Sequence, residues 1–207
     1  KDPEDGAPIT VWYATSMFDA ARVLGQAVRR VYDRDAEALK FAGVEFNISM
    51  IFGGQVKGEG MRLFSVYSAG NFIEATPETP YFQIGESKYG KPVLDRVLTP
   101  ETPLDEAAKC ALVSMDSTMK SNLSVGPPLD LVVYEANRFQ SDKLVCIDMA
   151  NPYYRMLHSS WGQKLREVFD SLEDPVWDDT HTDTPLKVAE AQNKPLRKIS
   201  RPEEKLI

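Results

Sequence analysis

The sequence predicts an α+β fold in which two β-sheets stack between outer helices, as a four-layer alpha-beta-beta-alpha sandwich. Helical and β patterns follow one another in the order helix, several strands, two helices, two strands and helix. The chain of 207 residues is 43% hydrophobic and 27% charged, a balance typical of globular proteins. Sheets gathered between helices favour the sandwich, although the order of the elements does not by itself establish the stacking.

The first element is a long amphipathic helix over about residues 15–40. Thr15 or Ser16 is placed to cap its N-terminus, and Gly43 follows the last periodic residue, where helices commonly end. The charged opposite face is expected to be exposed to solvent. The apolar residues recur at steps of three and four: Met17, Phe18, Ala21, Leu24, Val28, Val31, Tyr32 and Leu39.

A β meander is predicted after this helix. Two β runs, 45–53 and 61–67, flank the glycine-rich segment 54–60, which is typical of a hairpin. A third strand is expected over 72–76, and residues 81–84 are expected to continue the sheet. Such an antiparallel meander would place one face in the core.

Two helices are predicted next. The first is short and covers about residues 89–98. For the second, Thr102 is in position to cap, Pro103 suits the first helical position, and the acidic residues that follow favour the positive end of the helix dipole. This second helix is expected to end near Asn122.

Strands at 129–135 and 144–149 and a helix starting near Asn151 complete the predicted domain, residues 1–175. The remaining residues, 176–207, form a polar tail with few apolar positions. Such a tail buries little surface by itself. We expect it either to be disordered or to lie along a neighbouring subunit, with Val176, Trp177, Leu206 and Ile207 as anchors.

Composition excludes several classes of function. The formal net charge of -7 argues against general nucleic-acid binding, which requires a basic face. No apolar run reaches the length of a membrane span, so no membrane partner is expected. Cys110 and Cys146 have apolar neighbours and are expected to be buried free thiols, which favours the cytoplasm.

Motifs for cofactors, metals and common nucleophiles are not matched, so we predict no cofactor and no metal. The glycine-rich segment 53–60 lacks the Gly-Lys-Ser/Thr of a phosphate loop and leads into another strand. His158 and His181 have no partner at metal-ligand spacing. No Gly-x-Ser-x-Gly elbow is present.

The segment Lys120–Gly126 places small polar residues between a helix and a strand. From the residues alone, Asn122 and Ser124 are expected to satisfy free carbonyl and amide groups at the helix end. A functional role is the alternative, because three such side chains cluster at one corner.

Longer stretches of the chain carry a family resemblance. Residues 82–96, 108–126, 130–135 and 197–207 resemble Anbu (ancestral beta subunit), a bacterial proteasome-like family, and the resemblance covers most of the chain. It implies the fold of N-terminal-nucleophile hydrolases and a threonine-type peptidase. In that chemistry the first residue, Thr or Ser, supplies the nucleophile and its own amine is the base.

This sequence begins with Lys1, whose side chain has no hydroxyl or thiol. We therefore expect the nucleophile and the opening strands to lie upstream, and the chain to be the later part of a longer protein. Without those strands, sheet edges and apolar faces would be open, so residues 1–207 alone are not expected to fold stably.

The resemblance assigns supporting catalytic roles to Ser121, Asn122 and Ser124. Proteasome beta subunits carry an Asp and, three residues later, a Ser at this corner. Ser124 matches the serine, Ser121 stands where the aspartate would be, and Asn122 is expected to substitute in part. Glu86 and Ser87 resemble a second, Gly-Ser corner of the family; the structural alternative is that they cap the next helix.

The resemblance also implies self-association into a ring or an open helical oligomer that cleaves peptides or unfolded proteins in the cytoplasm. Two alternatives remain open. One is a catalytically inactive assembly subunit, and the other is an amidohydrolase on the same fold, because a fold does not determine the substrate.

Overall fold

The structure, a computed structural model, describes residues 10–141, 143–175, 177–178 and 196–197. The chain divides into two compact units, residues 1–159 and 160–207. The first unit contains most of the helices and strands. The second contains the later part of the last helix and two short parallel strands, β6 (Trp177–Asp178) and β7 (Leu196–Arg197). The rest of the predicted tail, including His181, Leu206 and Ile207, lies outside the described residues, and the domain boundary at 175 stays a prediction.

The first long helix, α1, covers Met17–Phe41 and follows a short 3-10 helix at Val11–Tyr13. The Ser16 hydroxyl accepts a hydrogen bond from the Asp19 amide at 3.0 Å, which caps the free amides of the first turn. After the helix, Gly43 adopts φ of +67°, a left-handed conformation that costs glycine little. Both predicted ends of the helix are therefore confirmed.

Three strands form the antiparallel meander that the sequence predicts. They are β1 (Ser49–Gly54), β2 (Arg62–Tyr67) and β3 (Phe72–Glu74), in the order β1-β2-β3. Phe64 of β2 stands opposite Phe52 of β1. The glycine-rich segment is the hairpin loop between β1 and β2, as expected.

The expected continuation of the sheet at residues 81–84 is wrong, because this segment forms no strand. It is held by side chains instead. The Tyr81 hydroxyl donates a hydrogen bond to Asp95, and Lys91 Nζ lies 2.8 Å from Asp95 Oδ1 and 3.0 Å from the Tyr81 hydroxyl. The salt bridge and the hydrogen bonds tie the segment to the next helix, so no backbone pairing is required.

Two helices follow, α2 (Lys91–Val97) and α3 (Leu104–Ser121). Both predicted helices are confirmed, but the predicted Thr102 cap is wrong. The Thr102 hydroxyl instead accepts from the Thr99 amide at 2.9 Å, and Pro103 takes the N-cap position of α3 without a side-chain cap. The local threonine turn competes for the hydroxyl that a cap would need.

A second hairpin pairs β4 (Leu129–Val133) with β5 (Lys143–Ile147), and helix α4 covers Pro152–Asp170. All three predicted elements are present. With helices and antiparallel sheets in one chain, the α+β class is confirmed.

The densest packing of the first unit lies between α1 and the three-stranded sheet. Phe64 and Val66 are fully buried, and Phe64 packs with Met17 and Ala21 of α1. Cys110 is buried, as predicted, but Cys146 is exposed, and that prediction is wrong. Cys146 lies on β5, on a hairpin whose surface is largely uncovered in the described part of the chain.

Candidate functional site

The corner after α3 brings together the three residues that the resemblance singles out. Ser121 is the last residue of α3, and the Asn122 amide still donates to the Thr118 carbonyl at 2.8 Å. Asn122 Oδ1 accepts two hydrogen bonds from Ser124, one from its amide and one from its hydroxyl, each at 2.8 Å. Asn122 and Ser124 thus interact directly and turn the chain toward β4.

This geometry fits the structural role that the residues alone predict. An asparagine oxygen that binds the amide two residues later stabilises a tight turn. The same geometry leaves the Ser124 hydroxyl able to accept a hydrogen bond. The Ser124 hydroxyl uses its hydrogen on Asn122, so its lone pairs can accept from another donor. Ser121 and Ser124 are exposed and Asn122 is half-buried, so the corner faces open space.

The second corner, Gly85–Ser87, lies in the loop before α2. The Ser87 amide donates to the Gly85 carbonyl at 3.0 Å, and the Ser87 carbonyl accepts from the Lys91 amide at 3.1 Å. Helix α2 begins at Lys91 with Gly90 as its N-cap. The alternative that Glu86 and Ser87 cap the helix with their side chains is therefore wrong, and their functional role stays a prediction.

A buried polar cluster, which the sequence reasoning did not find, lies between α3 and α4. Asp116 is 7% exposed, yet its Oδ1 accepts from the Tyr154 hydroxyl at 2.8 Å and lies 2.6 Å from His158 Nδ1. This fits the His158 tautomer that carries its hydrogen on Nδ1. Burial, followed by the hydrogen bond to Asp116, raises the pKa of Tyr154. The phenol therefore stays neutral and keeps its donor hydrogen.

A sequence signal for this cluster does exist. Asp116 lies four residues after Leu112, on the apolar face of α3, where a carboxylate needs a partner. Tyr154 and His158 are also four residues apart, so they lie on one face of α4. An acid at a core position and two hydrogen-bonding side chains on one helix face would have predicted the contact.

Helix α3 is also held from the side of α2. Gly90 is buried against α3, where a Cβ would lie 2.6 Å from the Ser114 carbonyl oxygen. The Thr118 hydroxyl donates to that same carbonyl at 2.9 Å. Contacts with α2 and α4 thus fix the position of α3. Because the Ser121–Ser124 corner follows directly from α3, its position is also well defined.

An open groove of about 1270 Å³ lies between the two hairpins of the first unit. Its lining includes Gly53 and Leu63 of the three-stranded sheet, and Val132 and Tyr134 from the second hairpin and its end. Apolar residues of both hairpins therefore face one open space.

Other site types find no support in the described residues. Within them, no group of three or more His, Cys, Asp or Glu residues is arranged to hold a metal ion. None of the helices in this part of the chain combines the length and the apolar character that crossing a membrane requires.

Comparison with solved structures decides the family. The chain is 49% identical to Anbu (ancestral beta-subunit) from Yersinia bercovieri, with a TM-score of 0.75 over 82% of this chain and 70% of that one. The chain belongs to the Anbu family. The resemblance predicted from the sequence is confirmed, and with it a relationship to proteasome-like subunits.

Two further Anbu structures support the assignment. Anbu from Hyphomicrobium sp. strain MC1 is 47% identical, with a TM-score of 0.73, over 84% of this chain and 70% of that one. A structure of the helical assembly of the Anbu complex from Pseudomonas aeruginosa is 41% identical, with a TM-score of 0.75 and the same coverage. Protein-family models and curated proteins give no match.

Proposed function

We propose that this Anbu chain is a subunit of a self-assembling, proteasome-like peptidase whose N-terminal Thr or Ser nucleophile lies upstream of the 207 residues. The observation that carries the proposal is the 49% identity to an Anbu structure over 82% of the chain. At this level of identity, sequence and fold agree along most of the domain. The nucleophile and its base are proposed to belong to residues ahead of Lys1.

The fold is proposed to be completed as a four-layer alpha-beta-beta-alpha sandwich. Both hairpins line the same groove of about 1270 Å³, and two apolar residues of its lining, Val132 and Met61, are 55% and 44% exposed. A gap of this size between two β-sheets fits additional strands, which would cover the exposed apolar residues and pair with free strand edges. Upstream strands of the N-terminal-nucleophile fold are the proposed occupants.

The proposed chemistry begins at the first residue of the mature protein. Its hydroxyl attacks the peptide carbonyl and its free amine takes the proton. The peptide C–N bond then breaks, the leaving amine takes that proton and departs, and water later hydrolyses the acyl-enzyme ester to release the acid and restore the hydroxyl. A free α-amine has a lower ordinary pKa than a lysine side chain, which suits a base near neutral pH. Backbone amides would stabilise the oxyanion.

Ser121, Asn122 and Ser124 are proposed to support this nucleophile from the corner after α3. Ser124 donates its hydrogen to Asn122 and keeps lone pairs that can accept from an ammonium group. Asn122 uses its oxygen on Ser124 and holds the serine in place. Ser121, at the position of the family's aspartate, offers a hydroxyl instead of a negative charge.

Self-association and location complete the proposal. The Anbu complex from Pseudomonas aeruginosa forms a helical assembly, and we infer a ring or an open helical oligomer for this chain, with the tail 176–207 against a neighbour. Peptides or unfolded proteins are the proposed substrates. The net charge of -7 and the two free cysteines favour a cytoplasmic protein without nucleic acid as partner.

The test is peptide hydrolysis and active-site labelling of the full-length protein. An electrophile that must react with both a hydroxyl and an α-amine of one residue should label its N-terminus and stop hydrolysis. Ser124→Ala is expected to lower kcat, while Ser159→Ala, at an exposed position on α4, is the matched serine control. Absence of both labelling and hydrolysis would contradict the peptidase proposal.

An inactive assembly subunit is the second candidate. The observation that favours it is the corner itself, where Ser121 replaces an acid and both donors of Ser124, its amide and its hydroxyl, are used on Asn122. Assembly without labelling would select this candidate. Labelling with turnover of small amides, but not of peptides, would select an amidohydrolase.

A further inference from the structure

The two halves of α1 differ in burial. The first half carries all of the buried residues of the helix: Met17, Ala20, Ala21, Val23, Gly25 and Val28. From Arg29 to Phe41 none is buried. At 1.5 Å per residue, this second half extends about 20 Å. The Arg29 Nε donates to the Ala69 carbonyl at 3.0 Å, near the point where the helix leaves the sheet.

The exposed half of α1 is nevertheless apolar on one side. Together with the segment that returns to β1 it forms a surface, residues 29–46, that we call the α1 ledge. The ledge contains a groove of about 450 Å³. Two of its lining residues, Tyr32 and Phe46, pack edge to face, with their ring centroids 5.3 Å apart. The groove is lined by Tyr32, Ala36, Glu37, Leu39, Lys40, Gly43, Val44, Glu45 and Phe46.

A protruding aromatic side chain lies beside this groove. Phe41 is 97% exposed, and its chain neighbours Lys40 and Gly43 line the groove. Single exposed apolar residues need no explanation, but a projecting phenylalanine next to an apolar groove is typical of a contact surface. The Phe41 side chain and the groove lie on the same ledge. If two copies pair their ledges about a two-fold axis, Phe41 of each copy can fill the groove of the other.

The charges of the ledge favour an identical partner. Residues 29–45 contain four basic and four acidic side chains and are neutral, whereas the whole chain carries -7. Three of the basic residues, Arg29, Arg30 and Arg34, come first, and three acidic ones, Asp35, Glu37 and Glu45, come later. In a two-fold arrangement the basic start of one ledge faces the acidic end of the other, and two acidic chains do not repel there.

We propose that the α1 ledge is a contact between two copies of this chain, in which Phe41 of each copy enters the groove of the other. This inference rests on the self-association in the proposed function and assigns a surface to it. A two-fold contact of this kind joins subunits in pairs, while a ring or helix needs a further, head-to-tail contact elsewhere. Loss of the ledge contact should therefore divide the assembly without preventing all association.

The experiment measures the mass of the full-length protein by sedimentation for the wild type, Phe41→Asp and Phe169→Asp. Phe169 is the matched control, because it is an exposed phenylalanine, at 73%, on α4. We expect Phe41→Asp to lower the assembly mass at least twofold with an unchanged circular dichroism spectrum, and Phe169→Asp to leave the mass unchanged. An unchanged mass for Phe41→Asp overturns the inference, as does an equal effect of Phe169→Asp.

A charge exchange provides an independent test that does not depend on Phe41. Arg30→Glu alone should weaken the assembly, and the double variant Arg30→Glu with Glu37→Arg should restore it. If Phe41→Asp lowers the thermal midpoint and leaves the mass unchanged, another segment of the same chain covers the ledge, and the inference is wrong. A wild type that stays monomeric contradicts the proposed self-association itself.

Discussion

The two hairpins of the first unit differ in how they are covered. In the three-stranded sheet, Phe64 and Val66 are fully buried beneath α1. In the second hairpin, Leu129 and Ile147 are the buried positions, while Leu144 is 68% and Val132 55% exposed. Both hairpins are rich in apolar residues, so the difference lies in what packs on them. The second hairpin has an apolar face for which the described residues supply no cover.

The difference in cover shows how far the described residues complete the domain. A sheet that buries one face against a helix forms a local core by itself. A two-stranded hairpin with an exposed apolar face needs further strands or another layer. The covered sheet should therefore respond strongly to truncation of its core, and the second hairpin should respond to the presence of the proposed upstream strands.

Truncation of the covered sheet should have the largest effect. Phe64→Ala in the full-length protein removes a ring that packs with Met17, Ala21 and Phe72, and should cost about 3–5 kcal/mol of unfolding free energy. Urea denaturation measures this loss. A cost below that of the control Met61→Ala, at a 44% exposed position beside β2, would contradict the assigned core.

The cluster between α3 and α4 should respond next. Asp116→Ala leaves the buried Tyr154 hydroxyl without its acceptor and should cost about 1–3 kcal/mol in urea denaturation. Tyr154→Phe removes only one donor and should cost less. Equal costs for Asp116→Ala and the surface variant Asp105→Ala would show that the cluster does not stabilise the link between the helices.

Cysteine labelling sharpens the comparison between the hairpins. In residues 1–207 alone, which are not expected to fold stably without the proposed upstream strands, both Cys146 and Cys110 should react rapidly with a thiol reagent. In the folded chain the hydrogen bond with Asp130 raises the pKa of Cys146, which lowers the share of the reactive thiolate. In the full-length protein both thiols should react slowly, because the proposed upstream strands would cover β5. Equally fast labelling of Cys146 in both proteins would contradict the proposed cover.

The smallest effect is expected at the edge of the covered sheet. Arg62 and Glu74 pair through two hydrogen bonds of 2.6 Å, and the bond from Arg62 lowers the pKa of Glu74. The pair therefore stabilises the fold above the unfolded pKa of about 4.3, and this contribution is lost as pH falls through the lower folded pKa. The difference in unfolding free energy between wild type and Glu74→Gln should decrease as the pH is lowered from 6 to 3. At pH 3 it should be no larger than the measurement error. A difference that stays constant would exclude the pair as its source.

Local patterns predicted most of the secondary structure. The helical period, the Ser16 cap and Gly43 defined α1, because each acts within a few residues of the chain. Residues 81–84 were misassigned as a strand because a side-chain contact, from Tyr81 to Asp95, replaces the backbone pairing that their composition favours. Thr102 was misassigned because a nearer turn takes its hydroxyl.

The candidate site was predictable only in part. The turn made by Asn122 and Ser124 follows from local chemistry, and the structure confirms it. The contact of Asp116 with Tyr154 and His158 joins residues 38 and 42 positions apart, so it depends on how two helices pack. Catalytic roles at the corner came from the family resemblance and remain predictions, because the described residues do not include a nucleophile.

The intact mass and the first residue of the mature protein, taken from its natural source, show most directly whether an N-terminal nucleophile precedes the 207 residues. We expect a mass above the 23.2 kDa of the 207 residues and a free Thr or Ser at the N-terminus. Such a result would place the nucleophile where a proteasome-like peptidase requires it. A mature protein that begins at Lys1 would contradict the peptidase proposal and leave an assembly subunit.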